Sequence, residues 1–422
     1  MTEVGGTPVI GASAGPIARG SMARVGTATA LTALCGYAVV YLAARDLAPA
    51  GFSVFAVFWG AFGLVTGAAN GLLQETTREV RADGYESRAE VLPARRTHPL
   101  RVAGMVGIGA ALLIAGSSPL WSGRVFAEAH WLSVGLLSVG LAGFCLHATL
   151  LGMLAGTNHW TQYGALMVTD AVIRVAVAAA TFVIGWGLAG FLWATVAGAL
   201  AWLIMILASP TTRSAARLLT PGGTATFLRG AAHSITAAGA SAILVMGFPV
   251  LLKATSSQLG AEGGVVILAV TLTRAPLLVP LTAMQGNLIA HFVDERTQRL
   301  RALIAPAALV AGIGTLGVLA AGLVGPWLLR VGFGPDYHAG GALLAWLTAA
   351  AVAIAMLTLT GAATVAAAMH RAYALGWVGA TAASTLLLLL PLPLETRAKV
   401  ALLCGPLVGI AVHLAALSRT GG

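Results

Sequence analysis

The sequence predicts an all-α integral membrane protein with twelve transmembrane helices in two parallel six-helix halves around a central cavity. Three observations carry this prediction. Charged residues make up 9% of the chain and hydrophobic residues 58%, whereas soluble domains carry about 25% charged residues. Many segments run for about 20 residues without a charge, which is long enough to span a bilayer core. Short motifs also recur half a chain apart.

The repeat appears at two places. Residues 47–51 read LAPAG and residues 259–263 read LGAEG, and a long apolar run follows each of them. Residues 155–159 (AGTNH) and 366–370 (AAAMH) each lie between two apolar runs. We therefore expect His159 and His370 to occupy equivalent turns. Internal repeats in a chain of membrane spans are typical of transporters, whose site lies where the two related bundles meet.

Each span is predicted from a long apolar run between polar or glycine- and proline-containing connections. The predicted spans are 22–43, 51–73, 102–120, 131–155, 163–185, 187–208, 227–252, 263–290, 302–323, 341–367, 372–391 and 399–417.

Arginine and lysine placement predicts the orientation. With a cytoplasmic N-terminus, the inner segments carry 16 of the 24 cationic residues and the outer loops carry 6, while Arg174 and Arg274 lie inside helices. Because cytoplasmic loops are enriched in these residues, we expect a multi-pass protein of the bacterial inner membrane with both termini in the cytoplasm. The net charge of +10 follows from these loops, and no nucleic-acid partner is expected.

Four regions follow from this pattern. They are a flexible cytoplasmic N-terminus (1–21), an N-terminal six-helix bundle (22–208), a cytoplasmic linker (209–226) and a C-terminal six-helix bundle (227–418). The linker is rich in Ser, Thr, Pro and Gly, and a short amphipathic helix is expected there at Arg213 to Leu219.

Three charged residues stand inside predicted spans. Asp170 and Arg174 are four residues apart in the fifth span, so they share a helix face and can pair. Arg274 lies near the middle of the eighth span with no acid nearby in sequence. A charge at the bilayer centre costs about 2.5–3.5 kcal/mol on insertion scales, so it must face a wet cavity or a partner. Two interpretations stay open. Asp170 and Arg174 form either a structural ion pair with each other or a part of the substrate pathway. Arg274 either pairs with Asp170 or Glu75, or lines the substrate pathway.

Helix-breaking residues cluster in the same region. Pro249 interrupts the seventh span, and Pro276 and Pro280 interrupt the eighth. Each proline removes a backbone donor and clashes with the preceding turn, so kinks in membrane helices gather at cavities and moving parts. These prolines are the candidate gating kinks.

Charges at the span ends form a second group of candidates. Glu75, Arg78 and Glu79 close the second span and form either a cytoplasmic gate or a solvated helix end. Arg45 and Lys253 lie at outer ends of the first and seventh spans and are candidates for contact with substrate or headgroups.

Two stretches resemble polysaccharide flippases of the multidrug/oligosaccharidyl-lipid/polysaccharide exporter superfamily. After the first helix the matching residues are Ala44, Arg45, Leu47, Gly51, Phe52, Arg78 and Glu79. In the outer loop before the tenth helix they are Phe333, Gly334 and Tyr337. The extra charge at residues 74–79 departs from the family pattern. Arg24 is the sole arginine that the first helix carries, at its inner end, which disfavours the peptidoglycan-precursor flippase.

The resemblance implies a flippase that moves a polyprenyl-diphosphate-linked oligosaccharide or polysaccharide precursor from the inner to the outer leaflet by alternating access. Arg274 and Arg174 would hold the diphosphate, because a guanidinium binds phosphate bidentately and keeps its charge. The implied partners are the polyprenyl-linked glycan, membrane lipids and glycosyltransferases of the same pathway, and the protein is expected to be a monomer.

Three alternatives stay open. An ion-coupled multidrug exporter of the same superfamily would need an acid in the N-terminal lobe, and Asp170 is the one mid-span acid. A membrane glycosyltransferase or polymerase would need acids on a long outer loop, whereas the outer acids here are scattered over short loops. A non-transporting scaffold would need a larger cytoplasmic face. We expect no enzyme activity, catalytic residue or cofactor. We also expect no metal site, since the cysteines show no metal-ligand spacing.

Overall fold

Helices make up nearly all of the structure. The structure, a computed structural model, describes residues 16–86, 96–126, 128–295 and 299–419. The N-terminal half contains α1 (Pro16–Asp46), α2 (Ala48–Glu86), α3 (Pro99–Val125), α4 (His130–Gly156), α5 (Trp160–Ile184), α6 (Gly187–Ala197), a 3₁₀ turn (Gly198–Leu200) and α7 (Ala201–Ala208).

The C-terminal half follows the linker helix α8 (Pro210–Ala216). It contains α9 (Thr224–Val245), α10 (Phe248–Ala254), α11 (Gly260–Ala283), α12 (Gln285–Asp294), α13 (Arg299–Ala302), α14 (Ile304–Leu323), α15 (Gly325–Phe333), α16 (Gly341–Ala366), α17 (His370–Leu388) and α18 (Leu394–Ser418). Two short strands, β1 (Arg96–Thr97) and β2 (Thr220–Pro221), complete the described elements.

All twelve predicted spans coincide with helices. Within the described ranges, ten helices are long and apolar enough to cross a membrane, and the bent pair α9 and α10 makes eleven. The remaining predicted span matches α17, which is shorter and begins with His370 and Arg371. The sixth span is α6 and α7, joined through the 3₁₀ turn.

Several helix ends differ from the prediction. α1 begins at Pro16, inside the stretch expected to be a flexible N-terminus, and residues 1–15 lie outside the described residues. α2 continues to Glu86, well past the predicted end at residue 73. It does so because its C-terminal part, which includes Gln74 to Arg81, contains no proline and only one glycine.

The linker is tied to the N-terminal half. The expected helix at Arg213 to Leu219 forms earlier, at α8, because Ser209 caps it: its Oγ accepts a hydrogen bond from the Thr212 N–H at 3.2 Å. The chain then forms β2, which pairs antiparallel with β1. The Thr97 hydroxyl also donates to the Gly222 carbonyl at 2.9 Å.

The backbone shows the internal repeat and corrects one of its pairings. Ala48 and Gly260, 212 residues apart, are the first residues of α2 and α11, and both adopt positive φ. At the second echo, His159 is the residue before α5, but Met369 is the residue before α17. The His159 N–H donates to the carbonyl of residue 154, and the Met369 N–H donates to the carbonyl of residue 364 in the same way. His370 is therefore equivalent to Trp160, and the predicted match with His159 is wrong by one residue.

A row of glycines on α2 forms the contact between the halves. Gly63, Gly67 and Gly71 are four residues apart, a spacing that lets two membrane helices approach closely. A Cβ at Gly67 would lie 2.7 Å from the Cβ of Ala242 on α9, and one at Gly71 would overlap the α9 backbone. We call these three residues the glycine row; they let α2 pack along α9.

Candidate functional site between the two halves

The helices α1 and α11 meet where the two halves adjoin, and we call the exposed stretch along them the crevice. Residues 263–270 of α11 are all buried, but residues 271–280 are at least partly exposed, except for Arg274. Residues 29–38 of α1 are likewise partly or fully exposed, whereas Ala43–Ala44 are buried. Both helices are thus buried at one end and become more exposed toward the other. We call the closed end the outer end and the open end, which holds the linker, the linker end.

Tyr337 closes the outer end. It lies between α15 and α16, is fully buried, and its hydroxyl donates to the Ala44 carbonyl of α1 at 2.9 Å. Its ring packs edge-on against Phe52 of α2 and also contacts Phe333. Burial raises the pKa of the Tyr337 hydroxyl, and Asp336 adds to the effect, so the hydroxyl stays a donor at neutral pH. Tyr337 therefore joins the C-terminal half to the N-terminal half.

Replacing Tyr337 with Phe should open the outer end more often. The lost hydrogen bond is worth about 0.5–1.5 kcal/mol, or about a two- to tenfold change in population. Spin labels at the exposed residues Ala50 and Pro335, in a cysteine-free background, would report the distance across the outer end. Tyr41→Phe is the matched control, because Tyr41 contributes a ring contact with Phe333. An unchanged distance distribution in Tyr337→Phe would contradict the closing role.

Arg274 lies where the crevice narrows. Its side chain is 8% exposed, and its Nη1 donates to the Val245 carbonyl at 3.1 Å. Val245 ends α9, four residues before Pro249, and α10 leaves at an angle of 69° to α9. Because Pro249 has no N–H, the Val245 carbonyl cannot receive its helical hydrogen bond. Arg274 supplies the missing donor.

The rest of the guanidinium is enclosed beside aromatic residues. It lies over the Phe248 ring, 5.5 Å from the centroid, and Tyr37 of α1 is close enough to interact with it electrostatically. Its Nη2 is buried and has no hydrogen-bond partner in the described structure. Asp170 and Glu75 pair with other arginines, so the predicted alternative of an ion pair with either is not formed. Arg274 keeps an uncompensated charge and a free donor.

Asp170 and Arg174 pair with each other inside the N-terminal half. Arg174 Nη2 donates to Asp170 Oδ1 at 3.0 Å, and Nε lies 3.0 Å from Oδ2. The guanidinium also lies over the ring of Phe62 on α2. Gly198 in the 3₁₀ turn leaves the necessary room, since a side chain there would overlap both partners. The arrangement favours mutual neutralisation, and diphosphate binding by Arg174 stays a prediction.

Neutralising one member of this pair should destabilise the protein. Asp170→Asn leaves the largely buried Arg174 charge without its counterion, at a cost of about 3–5 kcal/mol. The double variant Asp170→Asn with Arg174→Gln removes both charges and should recover part of that loss. Thermal unfolding in detergent measures both. A double variant that is no more stable than the single one would show that the two residues act independently.

The acidic and basic residues at the linker end form a local network. Arg78 Nη2 lies 2.7 Å from Glu75 Oε1 and also pairs with Glu79. The Glu75 carboxylate is buried against Gly230 of α9, whereas the Arg78 side chain is 64% exposed. Glu75 thus lies at the contact between the halves, while the exposed Arg78 fits a solvated helix end.

The other predicted residues lie at the outer end or along α10 and α11. Arg45 is exposed near Gly334 at the outer end. Lys253 lies in the last turn of α10, and its Nζ donates to the Ser257 carbonyl at 3.1 Å. Pro276 and Pro280 are exposed within α11, which continues through both residues. The predicted interruption at these two prolines is therefore wrong, whereas the seventh span is broken just before α10, which carries Pro249 in its first turn. The gating role of the three prolines stays a prediction.

Sequence reasoning missed several of the residues around Arg274. Tyr37 and Phe248 are ordinary aromatic residues in apolar runs, with no spacing to mark them. The glycine row is visible in the sequence as a repeated GxxxG pattern, which indicates a close helix contact. Among the described residues, no group of three or more His, Cys, Asp or Glu could hold a metal ion.

Comparison with known proteins gives close relatives in mycobacteria. No family model matches the chain. Uncharacterized protein Rv3630 of Mycobacterium tuberculosis (strain ATCC 25618 / H37Rv) is 80% identical over 424 residues, which cover 100% of this chain and 98% of that protein. Uncharacterized protein Rv1510 of the same strain is 76% identical over 419 residues, covering 99% and 96%. The chain belongs to this mycobacterial family.

Solved structures give the fold of the family. The chain is similar to an inward-facing multidrug resistance MATE family transporter of the MOP superfamily, with a TM-score of 0.68, 16% identity and coverage of 94% of this chain and 96% of that one. An outward-facing structure of such a transporter gives a TM-score of 0.64, 15% identity and 95% coverage of both chains. The mycobacterial family therefore has the MATE fold, with twelve transmembrane helices in two halves, and is a multi-pass membrane protein.

Proposed function

We propose that this chain is an alternating-access transporter that moves a polyprenyl-diphosphate-linked oligosaccharide or polysaccharide precursor from the inner to the outer leaflet. The observation that carries the proposal is Arg274. It is a buried, uncompensated guanidinium with a free donor at the narrow end of a crevice between two halves. A cation in that position favours an anionic cargo.

Diphosphate chemistry fits such a site. A phosphate group cannot enter hydrocarbon without a cation and hydrogen-bond donors, since burying an unpaired charge is prohibitively costly. Arginine binds phosphate oxygens with paired N–H groups and stays charged in an apolar setting. Tyr37 on the opposite wall brings a hydroxyl near the same point. The diphosphate would bind at Arg274 while the glycan occupies the wider, linker end of the crevice.

The crevice also suits a lipid tail. α1 and α11 touch each other sparingly, while α2 packs closely on both α9 and α11. A gap between α1 and α11 would let a polyprenyl chain stay in the bilayer while its head group enters the protein. With the outer end closed by Tyr337, this conformation fits the cargo-loading state, and rocking of the halves would expose the site to the other side.

A second candidate function is ion-coupled multidrug export. It is favoured by the solved structures, whose names describe multidrug resistance transporters, and on fold comparison alone it is the better supported of the two. The charges argue for the anionic cargo: Arg274 would repel cationic drugs, and the carboxylate of Asp170 is already paired with Arg174. The two candidates thus differ in the sign of the cargo charge.

Reconstitution into liposomes would separate the two. A fluorescent polyprenyl-diphosphate-linked sugar is placed in both leaflets, and dithionite quenching reports its exchange between them. Ethidium uptake with and without a proton gradient is measured on the same preparation. Exchange of the lipid-linked sugar without ethidium transport supports the proposal. Ethidium transport without such exchange would replace it with the multidrug function. Heat-inactivated protein controls for leakage.

A further inference from the structure

We infer that the Arg274 guanidinium is shared between the Val245 carbonyl and the cargo, so that cargo binding controls the bend between α9 and α10. This inference rests on the proposed anionic cargo. It adds a coupling step: the residue that recognises the phosphate is the same residue that satisfies the backbone at the bend.

The bend depends on Arg274 for a hydrogen bond. The chain turns by 69° between Val245 and Phe248. The N–H groups of Met246 and Gly247 both donate back to the Ala242 carbonyl, and Pro249 has no N–H to offer Val245. Arg274 reaches across from α11 to donate to that carbonyl and lies over the ring of Phe248 just beyond the break. The guanidinium therefore contacts the chain on both sides of the bend.

A phosphate would compete with this contact. The guanidinium forms stronger bonds with an anion than with a neutral carbonyl, because both partners are then charged. If Nη1 and the free Nη2 turn together to a phosphate, the Val245 carbonyl loses its donor. A buried carbonyl without a donor is unfavourable, so the segment must rearrange until another group, such as a backbone N–H or water, satisfies it.

The bend contacts the N-terminal half, so a rearrangement of the bend is transmitted to that half. Gly60 of α2 lies against it: a Cβ at that position would come within 3.0 Å of the Pro249 ring and 3.1 Å of the Met246 carbonyl. α10 also packs on α3 of the N-terminal half. A change in the angle between α9 and α10 therefore moves a surface on which the N-terminal half rests. Cargo that binds the two bend states differently would shift their populations.

The variant Pro249→Ala tests the coupling. The alanine introduces a backbone N–H that can donate to the Val245 carbonyl, which frees Arg274 for the anion. Farnesyl diphosphate is the binding probe, measured by calorimetry on purified protein in nanodiscs. Since one competing hydrogen bond is removed, we expect the variant to bind the probe about tenfold more tightly. Pro119→Ala, at an exposed position inside α3, is the matched control and should bind like the parent protein.

The bend itself is measured with spin labels at the exposed residues Ala232 and Ala254, one on each side of it. In the parent protein the probe should change the distance between the labels, and in Pro249→Ala it should not. Equal affinity and an equal distance change in the two proteins would overturn the coupling and leave the anionic cargo standing. If the parent protein does not bind farnesyl diphosphate at all, both the coupling and the proposed anionic cargo fall.

Discussion

Replacing Arg274 with Gln should weaken binding of farnesyl diphosphate about a hundredfold, which corresponds to about 3 kcal/mol. The loss is large because the guanidinium is buried and has no carboxylate partner among the described residues, so its interaction with an anion is little screened. Exchange of the lipid-linked sugar in liposomes should fall with binding. Glutamine is the informative substitution because it removes the positive charge and keeps a polar amide in a side chain of related shape.

The controls separate charge from packing. Arg274→Lys keeps a cation but loses the paired donors and should bind with intermediate affinity. Arg330→Ala removes an exposed arginine of α15 and should leave binding unchanged. If Arg274→Gln binds the probe as tightly as the parent protein, Arg274 is not the anion site, and its role is confined to the α9–α10 bend.

A leucine at Gly71 should separate the halves and strongly destabilise the protein. The Cβ alone would overlap the backbone of Ser234 and Ile235 on α9, which cannot move aside as a flexible side chain can. Overpacking typically costs about 1–3 kcal/mol and occasionally more, and backbone overlap places this variant at the upper end. The expected result is a large fall in unfolding temperature and a loss of monodisperse protein in detergent.

Gly109→Leu gives the matched comparison. Gly109 is an exposed glycine of α3 with nothing within 4 Å of the position of its added Cβ, so leucine there meets no neighbouring helix. If Gly71→Leu and Gly109→Leu unfold at the same temperature, α2 and α9 do not pack through the glycine row.

The spans could be predicted because their signal is local. A run of about 20 apolar residues is a property of the sequence alone, and each of the twelve runs is helical, although the sixth, seventh and eighth are each divided into two helices. Helix ends were harder to predict. α2 continues to Glu86 although its last residues are largely polar, so the apolar run does not mark its end. The relation of the two halves was visible in the sequence at residues 47–51 and 259–263, and the structure bears it out with a positive φ at Ala48 and Gly260.

The site could be predicted in part. A charge in mid-span marked Arg274, and the proline marked the break at residue 249. The rule that a proline frees the carbonyl four residues earlier would have named Val245 as well. It could not say that Arg274, 29 residues away, supplies the donor, because that depends on how α9 and α11 cross. Tyr37 carries no local signal. Tyr337 belongs to the outer-loop motif, but the motif does not reveal its hydrogen bond to Ala44, which lies on a distant helix.

The glycine row has a thermodynamic consequence for any motion of the halves. Glycine has no side-chain rotamers to restrict, so the contact of α2 with α9 forms without a side-chain entropy cost on the α2 side. If this contact persists when the halves rock, it contributes equally to both conformations and cancels from their free-energy difference. The equilibrium between the two is then set by contacts that exist in one of them alone. A single hydrogen bond, such as that of Tyr337 with Ala44, is large enough to decide it.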